Sequence, residues 1–264
     1  MHLTTDKYKL AAHFNKSPVL FAYHIGDLDD LFFSLCRWPV IQDDDGEIED
    51  ALLIYDHPQY PTVMAFGLTD KYDELLIDAL EILPDKFFCH YQISCGEILR
   101  SSFKAQPLGP HFKMKLNPEK FAVYQKTQKP DNQTDIIRLD TPHAGTLINF
   151  YKTAYPDGYF DPRMLQTRKF FGAFEQNELA AVAGIHVYSN EFKVGVLGSV
   201  ASDPRYRGKG LATLVSARLV EELMAENKLI ALHVGADNYA AMACYKKIGF
   251  EVAFDYEEAL FTRR

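Results

Sequence analysis

The chain has 264 residues, 47% of them hydrophobic and 24% charged, which is the balance of a folded protein with one large or two modest domains. A net charge of −8 disfavours nucleic acid as a partner, because an acidic surface repels phosphate. No apolar run approaches the roughly 18 residues of a membrane-spanning helix, and the first residues lack the apolar core of a secretion signal. The four cysteines show neither paired spacing nor the density of a disulfide scaffold, so we expect reduced thiols, no metal site and a cytoplasmic protein.

The first half of the chain predicts an α+β domain over residues 1–125. Its acidic run, Asp43–Asp50, is typical of a solvated loop. Apolar runs bounded by turn residues then predict strands at 51–55, 62–67 and 87–93 and a helix over 70–83. The turn before that helix, Gly67–Asp70, has one glycine and no basic residue, so it is too short to surround a phosphate. We therefore expect no cofactor site in this domain.

A polar stretch then separates the two halves. Residues 126–134 contain no apolar side chain, which predicts a linker before a second domain over 135–264. Thr141 and Pro142 have the residue types that begin a helix, and Asp161–Pro162 repeats that pattern. The predicted strands of the second domain are 136–137, 169–174, 179–188, 194–200, 229–234 and 251–261, and its predicted helices are 141–154, a short one from 161, 211–226 and 239–248.

A basic turn joins the strand at 194–200 to the helix at 211–226. Because the first amides of a helix lack internal partners and its dipole is positive there, this junction favours an anion. Gly208 and Gly210 have no Cβ, so the backbone can approach a phosphate closely. Three basic side chains add positive charge: Arg205, Arg207 and Lys209. A P-loop and a dinucleotide fingerprint both fail here, since Leu211, Ala212 and Thr213 stand where those motifs need Lys, Ser or Thr, and Gly.

A second motif begins 28 residues after Gly210, behind the apolar run 229–234. Asn238 has the residue type that caps a helix, and Tyr245 lies one helical turn after Ala241 on the same face. Gly249 suits the left-handed position that ends a helix, and Phe250 follows it with an apolar contact.

Arg-x-x-Gly-x-Gly and Asn-x-x-Ala-x-x-x-Tyr-x-x-x-Gly-Phe, in this order and spacing, resemble the signatures of the GNAT superfamily of acyl-CoA-dependent N-acyltransferases, over about residues 135–261. The resemblance implies an α+β fold, with a mixed, mostly antiparallel central sheet flanked by helices, and acetyl-CoA as the co-substrate. It also raises the interpretation that residues 1–125 are a degenerate second copy of this fold, with an unrelated α+β domain as the alternative.

The resemblance further implies a set of site residues. Backbone groups near Val200 and Ala201 would meet the pantetheine arm, and the turn would hold the pyrophosphate. Tyr245 matches the tyrosine that protonates the leaving thiolate, with plain helix packing as its alternative role. The implied cofactor site comprises Val200, Ala201, Arg205, Arg207, Gly208, Lys209, Gly210, Leu211, Ala212, Asn238 and Tyr245.

The general base is less well defined. Many GNAT enzymes carry a glutamate on the strand before the glycine turn, but residues 194–200 contain no carboxylate. His186 is the predicted base, because imidazole titrates near neutral pH. A hydrogen-bonded core histidine, a water chain and Glu257 are the alternatives.

We therefore predict an N-acetyltransferase that moves an acetyl group from acetyl-CoA directly to the amine of a small molecule. A non-catalytic acyl-CoA-binding or regulatory module and a protein amino-group acetyltransferase are the alternatives. The two-domain layout also resembles glycine N-acyltransferase-like proteins, so a longer acyl donor stays open. The sequence does not choose between a monomer and a homodimer.

Overall fold

A computed structural model describes residues 1–128, 134–156 and 158–264. Part of the predicted linker, residues 129–133, lies outside the described residues, so the linker stays a prediction. None of the helices in the described parts of the chain has the length and hydropathy needed to span a bilayer.

The described residues group into two compact units. The first unit contains Met1–Lys113, Val234–Asp237 and Val252–Arg264, and the second contains Met114–His233 and Asn238–Glu251. This division differs from the predicted domains in two respects. The chain first passes from one unit to the other at Lys113, before the predicted linker, and the last strand belongs to the first unit.

The first 116 residues form five α-helices and eight strands. The helices are α1 (Lys7–Phe14), α2 (Ala22–Gly26), α3 (Asp30–Phe33), α4 (Tyr72–Ala79) and α5 (Cys95–Ser102). The strands are β1 (His2–Leu3), β2 (Cys36–Arg37), β3 (Pro39–Gln42), β4 (Ile48–Ala51), β5 (Leu53–Tyr55), β6 (Thr62–Ala65), β7 (Lys86–Tyr91) and β8 (Phe103–Leu116). The helix predicted over 70–83 is shorter than expected, because its last turn tightens to a 3₁₀ helix at Leu80–Ile82 and Pro84 follows.

Apart from the first helix given below, which was not predicted, the remaining elements follow the predicted order. The helices are α6 (Pro118–Thr127), α7 (Ala144–Ala154), α8 (Leu211–Met224) and α9 (Tyr239–Ile248). Short 3₁₀ helices lie at Thr141–His143, Pro162–Thr167 and Pro204–Tyr206. The strands are β9 (Asp135–Leu139), β10 (Phe170–Glu175), β11 (Glu178–Ser189), β12 (Val194–Ser202), β13 (Leu229–Gly235) and β14 (Phe250–Arg263).

In the first unit the strands of the larger sheet run in the order β2-β5-β6-β7-β14-β8, and a smaller sheet has the order β1-β3-β4. Strands β6 and β7 are parallel, whereas β14 pairs with β7 antiparallel from Glu257 to Thr262. A buried cluster that includes Leu75, Leu76 and Leu99 packs against Cys89 and Phe261. The last strand therefore joins the first unit because its apolar side chains complete that core.

In the second unit the strands run in the order β13-β12-β11-β10-β9. The pair β12–β13 is parallel, and the pairs from β12 to β9 are antiparallel. The predicted α+β class, with a mixed and mostly antiparallel sheet flanked by helices, is confirmed. Helix α9 has the predicted bounds, and α7 ends at Ala154 as expected.

Candidate functional site

Strands β12 and β13 separate within the second unit. Their parallel pairing runs from Val194 and Leu229 to Leu197 and Leu232, although β12 continues to Ser202. Beyond Leu197, the edge of β12 is no longer paired with β13. Peptide groups at such an edge can hydrogen-bond an extended ligand, since each residue carries a donor and an acceptor.

A strained residue lies where the strands separate. Ser199 has φ +52, a left-handed conformation that residues other than glycine rarely adopt. Its amide donates to Nε2 of His186 at 3.2 Å, and its carbonyl oxygen accepts from the hydroxyl of Tyr151 at 2.6 Å. Its hydroxyl donates to the carbonyl of Tyr159 at 3.0 Å. These three contacts hold the irregular backbone that leads into Val200 and Ala201.

The turn before α8 is open and uncapped. Gly208 and Gly210 have φ +78 and +79, and a Cβ added at either would meet no atom within 4 Å. Helix α8 begins at Leu211 with no side chain bonded to its first amides, whereas Asn117 caps α6 and Asn238 caps α9. The start of α8 therefore presents backbone donors and the positive end of a 14-residue helix dipole.

The three basic side chains of the turn differ in their partners. Arg205 lies 2.7 Å from Glu178 and 2.8 Å from Asp203, and Lys209 lies 3.7 Å from Glu175. Arg207 instead donates to two carbonyl oxygens, those of Ser202 at 3.3 Å and Ala154 at 3.4 Å. Carboxylates thus offset the charge of Arg205 and Lys209, while the hydrogen-bond acceptors of Arg207 are neutral carbonyl oxygens.

Helix α9 brings Asn238 and Tyr245 to the second unit. Asn238 caps the helix as predicted, since its Oδ1 accepts from the amide of Ala241 at 3.1 Å. Tyr245 is 8% exposed, and its ring lies 6.0 Å from that of Phe250. Burial raises the pKa of the Tyr245 hydroxyl, with smaller contributions from Cys244 and Tyr155, so it stays protonated at neutral pH.

His186 makes a contact that the sequence did not predict. A neutral imidazole whose Nε2 accepts the Ser199 amide carries its proton on Nδ1, which leaves no lone pair for a substrate. Its ring also covers Gly198, where a Cβ would lie 2.1 Å from the ring Cδ2. This hydrogen bond positions the Ser199 amide and does not favour the base role of His186, which stays a prediction. Glu257, the alternative base, lies in the first unit, where β14 places it opposite Tyr91.

In the first unit, the carboxylate of Asp50 accepts hydrogen bonds from the backbone of the turn between β6 and α4. Asp50 is fully buried and accepts from the amides of Leu68 at 3.0 Å and Thr69 at 2.8 Å. It also accepts from the hydroxyl of Thr69 at 2.7 Å, and Nε2 of His13 lies 3.4 Å away. The acidic run is therefore not solvated throughout, and its last residue is a buried anion. The one sequence signal for the burial of Asp50 is that this residue directly precedes the apolar run 51–55.

Over residues 1–128, 134–156 and 158–264, no group of three or more His, Cys, Asp and Glu side chains is arranged to hold a metal ion. Cys36, Cys89, Cys95 and Cys244 are free thiols.

Comparison with known proteins shows that the second half of the chain matches a protein family. Residues 135–250 match the family model described as Acetyltransferase (GNAT) family. A mycothiol acetyltransferase of Mycolicibacterium smegmatis is 35% identical over 101 residues, which are 36% of this chain and 32% of that protein. The matched region thus spans about a third of that relative's length.

Solved structures show the same fold over almost the whole chain. A Drosophila protein superposes with a TM-score of 0.69 at 16% identity, covering 96% of both chains. A tandem GNAT protein from the clavulanic acid biosynthesis pathway superposes with a TM-score of 0.62 at 13% identity, covering 99% of this chain and 97% of the other. At such low identity these structures show the fold, including its two-domain layout.

Proposed function

Because residues 135–250 form a GNAT domain, we propose that this chain is an N-acetyltransferase that moves the acetyl group of acetyl-CoA directly to the amine of a small molecule. The open start of α8, next to the separated strands β12 and β13, is the observation that supports this most. The uncapped amides and the two left-handed glycines fit a pyrophosphate. Arg207 adds a cation whose hydrogen bonds go to two carbonyl oxygens.

The edge of β12 is suited to the pantetheine arm and to the thioester. Beyond Leu197 the strand is unpaired toward β13, and we expect backbone groups near Val200 and Ala201 to meet the ligand at this edge. An amide directed at the thioester carbonyl oxygen stabilises the oxyanion, an effect of roughly 10²–10³ in rate for a well-placed donor. Binding the thioester and the amine at the same edge also increases the rate, because it holds the two reacting groups close together.

Tyr245 is the proposed general acid. As the C–S bond of the thioester breaks, the thiolate of CoA takes the hydroxyl proton of Tyr245. A buried tyrosine whose pKa is raised keeps that proton until the thiolate forms.

For the first unit we propose a degenerate copy of the fold without a coenzyme. The order β6, turn, α4, β7, with β6 and β7 parallel, corresponds to β12, turn, α8, β13. Asp50 supplies the anion that a pyrophosphate would supply, and it accepts from the backbone donors of the turn. A ligand phosphate would have to displace this buried carboxylate.

A non-catalytic acyl-CoA-binding module is the second candidate. Strand β12 carries no carboxylate that could serve as the base, and Nε2 of His186 already accepts the Ser199 amide. The name of the relative, mycothiol acetyltransferase, supports a small-molecule acceptor over a protein amino group. Four free thiols support the cytoplasm as the compartment.

Release of CoA thiol from acetyl-CoA separates an enzyme from a binding module. The assay uses kanamycin, spermidine, lysine and glucosamine as acceptors, with a blank that contains no amine. Amine-dependent release supports the proposed transfer. Micromolar binding of acetyl-CoA without release by any amine would instead favour the binding module.

A further inference from the structure

This inference rests on the proposed acetyl transfer and concerns the group that takes the proton of the amine. A free alkylamine has a pKa near 10, so at neutral pH it needs a base to become the nucleophile. His186 uses its Nε2 for the amide of Ser199, so that lone pair is already engaged. Strand β13, which also borders the opening, carries a second imidazole, that of His233.

Strand β13 forms the other side of the opening, and its register shows which side chains share a face. A Cβ at Gly195 would lie 2.9 Å from Leu223 of α8, so Gly195 faces α8. Ile230 pairs with Gly195 and points the same way, because paired residues of neighbouring strands share a face. Alternation then places His233 on the face opposite α8.

The face opposite α8 is also the face of His186. Gly198 lies three residues after Gly195, so it points away from α8, and a Cβ there would meet the ring of His186. His233 directly follows Leu232, the last residue of β13 that pairs with β12. Its side chain is half-buried. An imidazole thus lies where the strands separate, across the sheet from the anion site of α8.

We propose that His233 is the general base of the transfer. The amine nitrogen forms a bond to the carbonyl carbon of the thioester, and its proton passes to the imidazole of His233. The C–S bond breaks, and the thiolate takes a proton from Tyr245. His233 later releases its proton to water and Tyr245 regains one, so the step needs no further reactant.

The test compares His233→Ala with His186→Ala in the thiol-release assay, with and without added imidazole. His233→Ala lowers kcat/KM by roughly 10²–10⁴, the usual effect of a lost acid–base group, and imidazole restores part of the loss. His186→Ala also lowers turnover, because the backbone at Ser199 relaxes, but imidazole does not restore it. By calorimetry we expect the dissociation constant of acetyl-CoA for His233→Ala to stay within about threefold of wild type, because the imidazole acts only on the amine.

Wild-type turnover in His233→Ala would overturn the proposal, and so would a loss of acetyl-CoA binding along with activity. If His233→Ala does not fold, His233→Gln keeps the volume and polarity of the side chain and has to show the same loss of activity. A wild-type protein that binds acetyl-CoA but releases no thiol with any amine would refute the acetyltransferase itself, and the base assignment with it.

Discussion

Ser199 has a strained backbone that three neighbouring residues hold in place. Its φ of +52 is a strained conformation, which costs of the order of 1–3 kcal/mol unless neighbouring groups stabilise it. Tyr151, Tyr159 and His186 each bond one polar group of Ser199, and they come from α7, from the segment after it and from β11. The geometry of the opening therefore depends on residues outside the motifs.

Tyr151→Phe tests this dependence. The substitution removes the hydroxyl that donates to the Ser199 carbonyl, so we expect the free energy of unfolding to fall by about 1 kcal/mol and turnover to fall as well. Urea denaturation and thiol release measure the two effects. Tyr239→Phe, at a residue 77% exposed on α9, is the control and should change neither. An unchanged stability and turnover in Tyr151→Phe would show that this bond does not hold the strand.

Tyr245→Phe tests the general acid. We expect turnover to fall roughly 10²–10⁴-fold, because the thiolate loses its proton donor, while the dissociation constant of acetyl-CoA stays nearly constant. Because burial raises the pKa of Tyr245, wild-type activity should show no loss from its ionisation up to about pH 10, its ordinary value. Full turnover by the phenylalanine variant would leave Tyr245 with helix packing alone.

Lys113 gives a pH-dependent prediction for the first unit. Its side chain is fully buried, donates to the Leu20 carbonyl at 2.5 Å and lies 3.4 Å from the centre of the Phe66 ring. Burial lowers its pKa well below the ordinary value, and Glu258 opposes this shift. The unfolded chain therefore binds the proton more strongly, so the contribution of Lys113 to stability increases as pH rises toward about 10 and is lost as pH falls.

Denaturation of wild type and Lys113→Met at pH 7 and pH 9.5 measures this contribution. We expect wild type to gain more stability between the two pH values than the methionine variant. Equal changes in the two proteins would mean that the lysine is already charged in the folded state.

At the scale of elements, the turns before α4 and α8 differ in whether a side chain accepts hydrogen bonds from their backbone amides. In the first unit Asp50 accepts two amides and a hydroxyl, whereas α8 begins without a side-chain cap. Asp50→Asn keeps the shape but removes the charge, so we expect a loss of at least about 2 kcal/mol in the free energy of unfolding. Asp44→Asn, in the exposed part of the same acidic run, should stay within about 0.5 kcal/mol of wild type. A loss in Asp50→Asn no larger than in Asp44→Asn would contradict the role given to this carboxylate.

The sequence predicts the elements of the second half well because local signals agree there. Asn238 and Gly249 have the residue types that begin and end a helix, and α9 runs between them. The apolar runs give the strands and their order. Gln176 and Asn177 adopt positive φ in the predicted hairpin turn, a conformation that asparagine tolerates.

Contacts between distant residues are what the sequence does not reveal. Nothing in the residues 194–200 marks Ser199 as left-handed, since the contacts that hold it come from residues 13 to 48 positions away. The burial of Asp50 depends on a turn 18 residues later. The position of His233 follows only from the pairing of β13 with β12. The phosphate turn was predictable because it is contiguous, whereas the base depends on tertiary structure.

At the scale of the whole molecule, the region that carries the motifs and the compact units have different boundaries. The motifs lie within residues 135–250, yet β14 continues into the first unit and pairs there with β7. Strand β14 thus contributes residues to both compact units, whereas the open turn at the start of α8 lies in the second. We therefore expect one molecule of acetyl-CoA per chain, bound at the start of α8.

Isothermal titration with acetyl-CoA tests this requirement most directly. The proteins are wild type, the double variant Gly208→Glu/Gly210→Glu and the control Gly109→Glu, whose glycine has φ +94 and equally open surroundings in the first unit. We expect one equivalent bound in the micromolar range by wild type and by the control, and no binding by the folded double variant. Two equivalents in wild type, retained binding in the double variant, or no binding by folded wild type would contradict the account.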